Sequence, residues 1–137
     1  MMKKINNSEV MKIIPEKIYK NLLNISYEKE DTINFLFIEK NINLLMRLTL
    51  DDFMVTLVIY LSSYSPDNKE MYKNWIKEGI NKYKLMKNKK IIVTSQFYER
   101  DPLIKIMREL DFKVNLVLRE HIKIEGKFLN VISLQLL

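Results

Sequence analysis

Residues 89–137 decide how the rest of the chain is read: KKIIVTSQFYERDPLIKIMRELDFKVNLVLREHIKIEGKFLNVISLQLL. A short apolar run at residues 91–93 is followed by a connector at residues 95–100. Asp101 is a good helix N-cap and Pro102 suits the first helical position, while Leu103, Ile106, Met107 and Leu110 recur at helical spacing. The helix is expected to stop near Asp111, because Phe112 opens a period-2 pattern. Two alternating segments follow with Gly126 at the break, which predicts an antiparallel hairpin.

Upstream, residues 1–5 read as a short strand. Val10, Ile14, Ile18, Leu22 and Ile25 then fall on one side of a helical pattern that starts near Ser8, with Pro15 as the start of its main part. A polar connector leads to three strands at residues 33–38, 42–50 and 53–61, separated by Glu39-Lys40-Asn41 and Asp51-Asp52. Turns this short force antiparallel neighbours, and the third strand, apolar on both faces, reads as central. A polar loop carrying Pro66-Asp67-Asn68 opens a helix that ends near Lys87-Asn88 and has Met71, Trp75, Ile76, Ile80 and Tyr83 on one face. Gly79 sits mid-helix, where it costs roughly 1 kcal/mol against alanine, and its missing side chain suits close contact with a sheet. The helix joins residues 53–61 to the strand at residues 90–94, a right-handed crossover between parallel strands. With no repeat, low-complexity run or linker, residues 1–137 are expected to form a single domain.

Composition narrows the function classes. The chain has 47% hydrophobic and 29% charged residues, as soluble globular proteins do, and its longest apolar run is too short to span a bilayer. Lys3 and Lys4 are followed by Asn-Asn-Ser-Glu and not by an apolar core, so no secretory peptide is expected. The absence of cysteine excludes a disulfide framework, a thiolate metal site and a cysteine nucleophile. A lone histidine, His121, leaves little for a histidine-based metal site, so no metal is expected and the localisation reads as cytoplasmic. The net charge of +6 comes mostly from dispersed lysines, with arginine only at positions 47, 100, 108 and 119. Base readout leans on arginine and amide side chains presented by one element, and no such element stands out. The charge suits polyanions in general, including the phosphates of a nucleotide-like cofactor.

The order of elements, and the spacing back from Phe112, resembles the Gcn5-related N-acetyltransferases (the GNAT superfamily). In that family an Asn opens the last helix, a Tyr lies within it, and Gly-Phe closes it before two antiparallel strands. Here Arg100 stands at the Asn, Met107 at the Tyr and Asp111 at the Gly, so only Phe112 is kept. The resemblance implies an α/β (α+β) fold of acyl-CoA N-acyltransferase type. Its sheet would be mixed and mainly antiparallel, with helices on both faces. The fourth and fifth strands would splay apart around acetyl-CoA.

The resemblance also implies the site. The family binds pyrophosphate on an Arg/Gln-x-x-Gly-x-Gly/Ala loop at a helix N-terminus, where orphan N–H groups and the helix dipole favour an anion. This chain reads SSYSPDNKEMYKNW there, with no glycine. The cofactor-binding candidates are accordingly Leu61, Ser62, Ser63, Asn68, Lys69, Glu70 and Met71, together with Arg100. The bland alternatives are an ordinary helix N-terminus for the loop and a helix cap with local ion pairs for Glu99, Arg100 and Asp101. Met107 has no proton to give a departing thiolate, so Tyr98 and Tyr64 are the candidate catalytic acids, set against half-buried packing roles. Trp75 reads as core and His121 as a surface residue.

The leading functional expectation is a divergent acetyl-CoA-dependent N-acyltransferase acting on a small-molecule or protein amine, with a homodimer through the C-terminal hairpin. The alternative is a non-catalytic, degenerate binding or inhibitory protein of the same fold that acts on a protein partner. A basic nucleic-acid-binding protein is the third reading.

Overall fold

A computed structural model of the chain describes residues 2–6, 9 and 31–137. Of the helical pattern expected between Ser8 and Ile25 only Glu9, which is helical, is described; the remainder lies outside the described residues. Seven strands form one sheet in the order β1-β2-β3-β4-β5-β7-β6. They are β1 (Met2–Ile5), β2 (Thr32–Glu39), β3 (Ile42–Asp51), β4 (Met54–Leu61), β5 (Ile92–Tyr98), β6 (Lys113–Ile124) and β7 (Lys127–Leu136). Two helices are described, α1 (Lys69–Lys87) and α2 (Leu103–Glu109). Every strand pair is antiparallel except β4 with β5, the pair that α1 connects.

The turns follow from residue chemistry. Lys40 and Asp52 take the left-handed conformation at the tips of the β2–β3 and β3–β4 hairpins, and Glu125 and Gly126 do so between β6 and β7. Asn88 ends α1 in the same conformation, with its N–H bonded to the carbonyl of Lys84. The end of α2 is a Schellman motif. The N–H of Phe112 reaches the Met107 carbonyl at 3.1 Å, that of Asp111 reaches Arg108 at 3.1 Å, and Asp111 holds a φ of 73°.

Alternate residues of the central strands, such as Phe35, Phe37, Met46, Leu48 and Leu57, face α1 and α2 in one apolar cluster. The helix α1 contributes Tyr72, Trp75, Ile76, Ile80 and Tyr83, so Tyr72 takes the buried place expected of Met71, which is only partly buried. The phase is set by Gly79, which lies over β3. A Cβ there would stand 2.5 Å from the sulfur of Met46, so the axis approaches the sheet at this turn and Tyr72, one residue past Met71, rotates inward. The other face of the sheet is buried as well, at Asn34, Leu36, Leu45 and Arg47.

Two expectations shift. The fifth strand runs on to Tyr98, so residues 95–98 are not a connector; they pair with β7 as far as Tyr98 opposite Val131. The helix α2 begins at Leu103, with Asp101 accepting its N–H at 2.9 Å from outside the first turn. The strand β6 closes the sheet as an exposed edge, apolar at Val114, Leu116 and Val117 and interrupted by bulges.

Asp111 offers a clean test of the α2 terminus. A left-handed conformation strains an L-residue and not glycine. Asp111→Gly is expected to stabilise the fold by about 1 kcal/mol, read as a higher urea midpoint at unchanged m-value.

Candidate functional site

The site originates where the two parallel strands part. Pairing between β4 and β5 runs from Met54 opposite Ile92 only as far as Leu57 opposite Ser95, although β4 continues to Leu61 and β5 to Tyr98. Beyond that point each strand follows its other neighbour. Leu61 still pairs with Leu44 of β3, and Tyr98 with Val131 of β7. The sheet therefore opens into a V. At its apex the hydroxyl of Ser95, itself buried, donates to the Leu57 carbonyl at 2.7 Å. A side-chain donor thus reaches the Leu57 carbonyl at the last paired rung of the two strands.

Strand alternation then dictates what lines the V. The N–H of Ser62 bonds to Asn43 of β3, whereas the carbonyls of Phe53 and Leu57 are bonded from the β5 side. Even-numbered residues of β4 thus direct their backbone groups to β3, and odd-numbered ones to β5. Past Leu57 the N–H groups of Ile59 and Leu61 face the gap with no strand partner among the described residues.

The loop after β4 is pinned on both sides. Ser62 exchanges two bonds with Asn43, its hydroxyl accepting the Asn43 N–H at 2.9 Å and its N–H reaching the Asn43 carbonyl at 2.9 Å. The hydroxyl of Tyr72 accepts the N–H of Ser65 at 3.1 Å and donates to the carbonyl of Ser63 at 3.4 Å. The N–H groups of Ser63 and Tyr64 take part in none of the described hydrogen bonds. Pro66–Asn68 form a single 3₁₀ turn that feeds α1.

The structure brings Leu61, Ser62, Ser63, Tyr64 and Asn68 together at the end of β4 and in this loop. Tyr64 and the groups from Asp101 to Val114 line an open groove of about 830 Å³ beside α2, which also carries Lys105, Arg108 and Lys113. The remaining candidates are placed less favourably. Glu70 turns to a separate groove of about 370 Å³ along α1, with Lys73 and Lys77. Met71 packs against the core. Arg100 is exposed and lines neither groove. Lys69 forms an ion pair with Glu109 of α2 at 2.7 Å, which holds the Glu109 carboxyl below its usual range and raises the lysine.

The two candidate acids are both about two-fifths exposed, Tyr64 at 40% and Tyr98 at 39%. The Tyr64 ring packs at a tilt of 38° against that of Tyr72, with ring centroids 5.7 Å apart. Burial, then the charge of Asp101, pushes the Tyr98 phenol up, so it keeps its proton at neutral pH. Met107, at the position of the family's Tyr, is fully buried in the core. The groups that sequence reading missed are Ser95, Tyr72 and the basic residues of the α2 groove. For Tyr72 the signal was present, since it stands at helical spacing from Trp75, Ile76 and Gly79.

No protein-family model and no curated protein matches the chain. Among solved structures, a variant of the spermidine N-acetyltransferase SpeG from Vibrio cholerae superposes with a TM-score of 0.72 at 14% identity, covering 100% of this chain and 94% of that one. The dodecameric form of that enzyme gives 0.72 at 14% identity, covering 100% and 92%. An acetyltransferase of the GNAT family from Streptococcus pneumoniae gives 0.71 at 12% identity, covering 98% and 96%. The chain therefore has the GNAT fold, with the mixed sheet that the sequence led us to expect.

Asp101 carries a test of the groove's electrostatics. Burial pushes its carboxyl above the usual value, partly offset by the Leu103 N–H. The folded chain thus holds this proton more tightly than the unfolded chain does. The stability this group contributes is present in acid and is lost as pH rises from the unfolded pKa through the folded one. Asp101→Asn keeps an acceptor for Leu103 and removes the ionisation. It is expected to be at least as stable as the wild type at neutral pH, with a flatter stability profile across the acid range in urea titrations.

Proposed function

We propose that the protein is a divergent acetyl-CoA-dependent N-acyltransferase that transfers an acyl group to an amine. The observation that supports this best is the V between β4 and β5, where the N–H groups of Ile59 and Leu61 have no β5 partner among the described residues. Strand donors left without a partner are open to a ligand, and an extended amide-bearing one would satisfy both groups. The residues present fit such a cofactor. Ile59 and Leu61 would hold its pantetheine arm and the thioester carbonyl. The N–H groups of Ser63 and Tyr64 would meet its diphosphate, with Lys105 and Arg108 supplying positive charge along the groove. Bound acetyl-CoA supplies the acyl group as an activated thioester.

The chain's own contribution is proximity and electrostatics. An N–H aimed at a thioester oxygen stabilises the charge that develops there, and the walls of the V orient donor and amine. Tyr64 or Tyr98 would give a proton to the departing thiolate. The acceptor is a small molecule or protein carrying an amine. The exposed apolar residues of β6 favour a homodimer, which light scattering reads as twice the chain mass.

A second reading, a non-catalytic protein of this fold that binds a protein partner, is favoured by the burial of Met107 and by the absence of Tyr98 from the groove lining. Calorimetry separates the readings. Micromolar binding of acetyl-CoA, lost in Ser63→Trp, is expected for the transferase. Binding without acetylation of any amine in a broad panel would favour the second reading, and no binding at millimolar cofactor would overturn the first.

A further inference from the structure

We infer that Tyr72 is the positioning residue of the cofactor loop, its hydroxyl doing by side chain what glycines do in the loop this one resembles. The inference rests on the proposed function for the identity of the ligand. It rests on geometry alone for the role of the hydroxyl. No residue between Ser62 and Asn68 has a positive φ, so the loop is built from ordinary backbone and its shape has to be held by contacts. Those contacts come from two places. Ser62 is tied to Asn43 at the end of β4, and the Tyr72 hydroxyl reaches back from the first turn of α1 to Ser63 and Ser65.

The hydroxyl accepts from Ser65 N–H and donates to the Ser63 carbonyl, which clamps the loop on both sides of Tyr64. The N–H groups of Ser63 and Tyr64 lie between the Ser62 anchor and the Ser65 bond, and they are the two that the described hydrogen bonds leave unused. The ring that carries the hydroxyl does not wander. Tyr72 is fully buried, and its ring stands 5.7 Å from Tyr64 and 6.4 Å from Trp75, which in turn stacks on Phe37 at 5.6 Å. The ladder runs from the loop into the core, so the loop takes its position from the sheet. A donor pair held in advance loses little freedom on binding an anion, and that is where pre-organisation yields affinity.

Tyr72→Phe tests this directly, because it keeps the ring and its packing and removes only the hydroxyl. Amide exchange at Ser65 is expected to accelerate, while the fluorescence of Trp75, the sole tryptophan, stays as in the wild type. CoA is expected to bind about tenfold more weakly, because a loop freed from both bonds has to be ordered on binding. Pantetheine, which lacks the diphosphate, is expected to bind both proteins equally. Equal weakening of CoA and pantetheine would show general loosening and overturn the role. Unchanged exchange at Ser65, or unchanged CoA affinity, would overturn it as well. If wild-type protein fails to bind CoA, the proposed ligand falls, and with it the positioning role toward that ligand; the exchange measurement still decides whether the hydroxyl holds the loop.

Discussion

The hydrogen bond from the Ser95 hydroxyl to the Leu57 carbonyl marks the place on which the rest of the structure depends. On one side of it β4 and β5 are ordinary parallel neighbours, and on the other each strand belongs to a different half of the sheet. An open edge inside a sheet is costly because its backbone groups lose both water and partner. Here a buried serine adds a side-chain bond to the Leu57 carbonyl at the apex, whereas the donors of Ile59 and Leu61 have no β5 partner among the described residues. The opening is thus a built feature of the fold, made by strands that are fully paired on their outer sides.

The loop at the mouth of the V solves a second problem with unusual materials. A glycine-rich loop brings its backbone close to phosphates because no side chain intervenes. This chain places Ser, Tyr, Pro and Asp in that segment and stabilises its path with Asn43 and Tyr72. The charges around it are distributed in a related way. Glu109 takes up Lys69 at the start of α1, while Lys105, Arg108 and Lys113 remain along the groove beside α2. The basic side chains nearest the loop therefore lie along α2, beside Asp101 and Glu109.

Much of this architecture was legible in the sequence, and the parts that were not have identifiable causes. The meander, the crossover helix and the hairpin at Gly126 announce themselves through period and turn chemistry, because each is local. The reach of β5 to Tyr98 was hidden. Ser95 and Gln96 are polar and read as connector, and their strand character comes from β7, a partner distant in sequence. Tyr72 was missed by one residue of helical phase, set by the close approach of Gly79 to Met46 and not by apolarity. The left-handed Asp111 stood where the resembled family keeps glycine, so the position was readable although the residue was not. For the site, the end of β4 and the loop were readable as a place. The serine at the apex and the tyrosine clamp were not, since each acts through a backbone group that no composition or spacing rule exposes.

The central claim is that the unpaired donors at the parting of β4 and β5 receive the cofactor. Amide chemical shifts of nitrogen-labelled protein, followed during titration with acetyl-CoA, test it residue by residue. The largest shifts are expected at Ile59, Leu61, Ser63 and Tyr64, with little change in β1 and β2. Shifts confined to the lysine-rich surface of α1, with Ile59 and Leu61 unmoved, would contradict it.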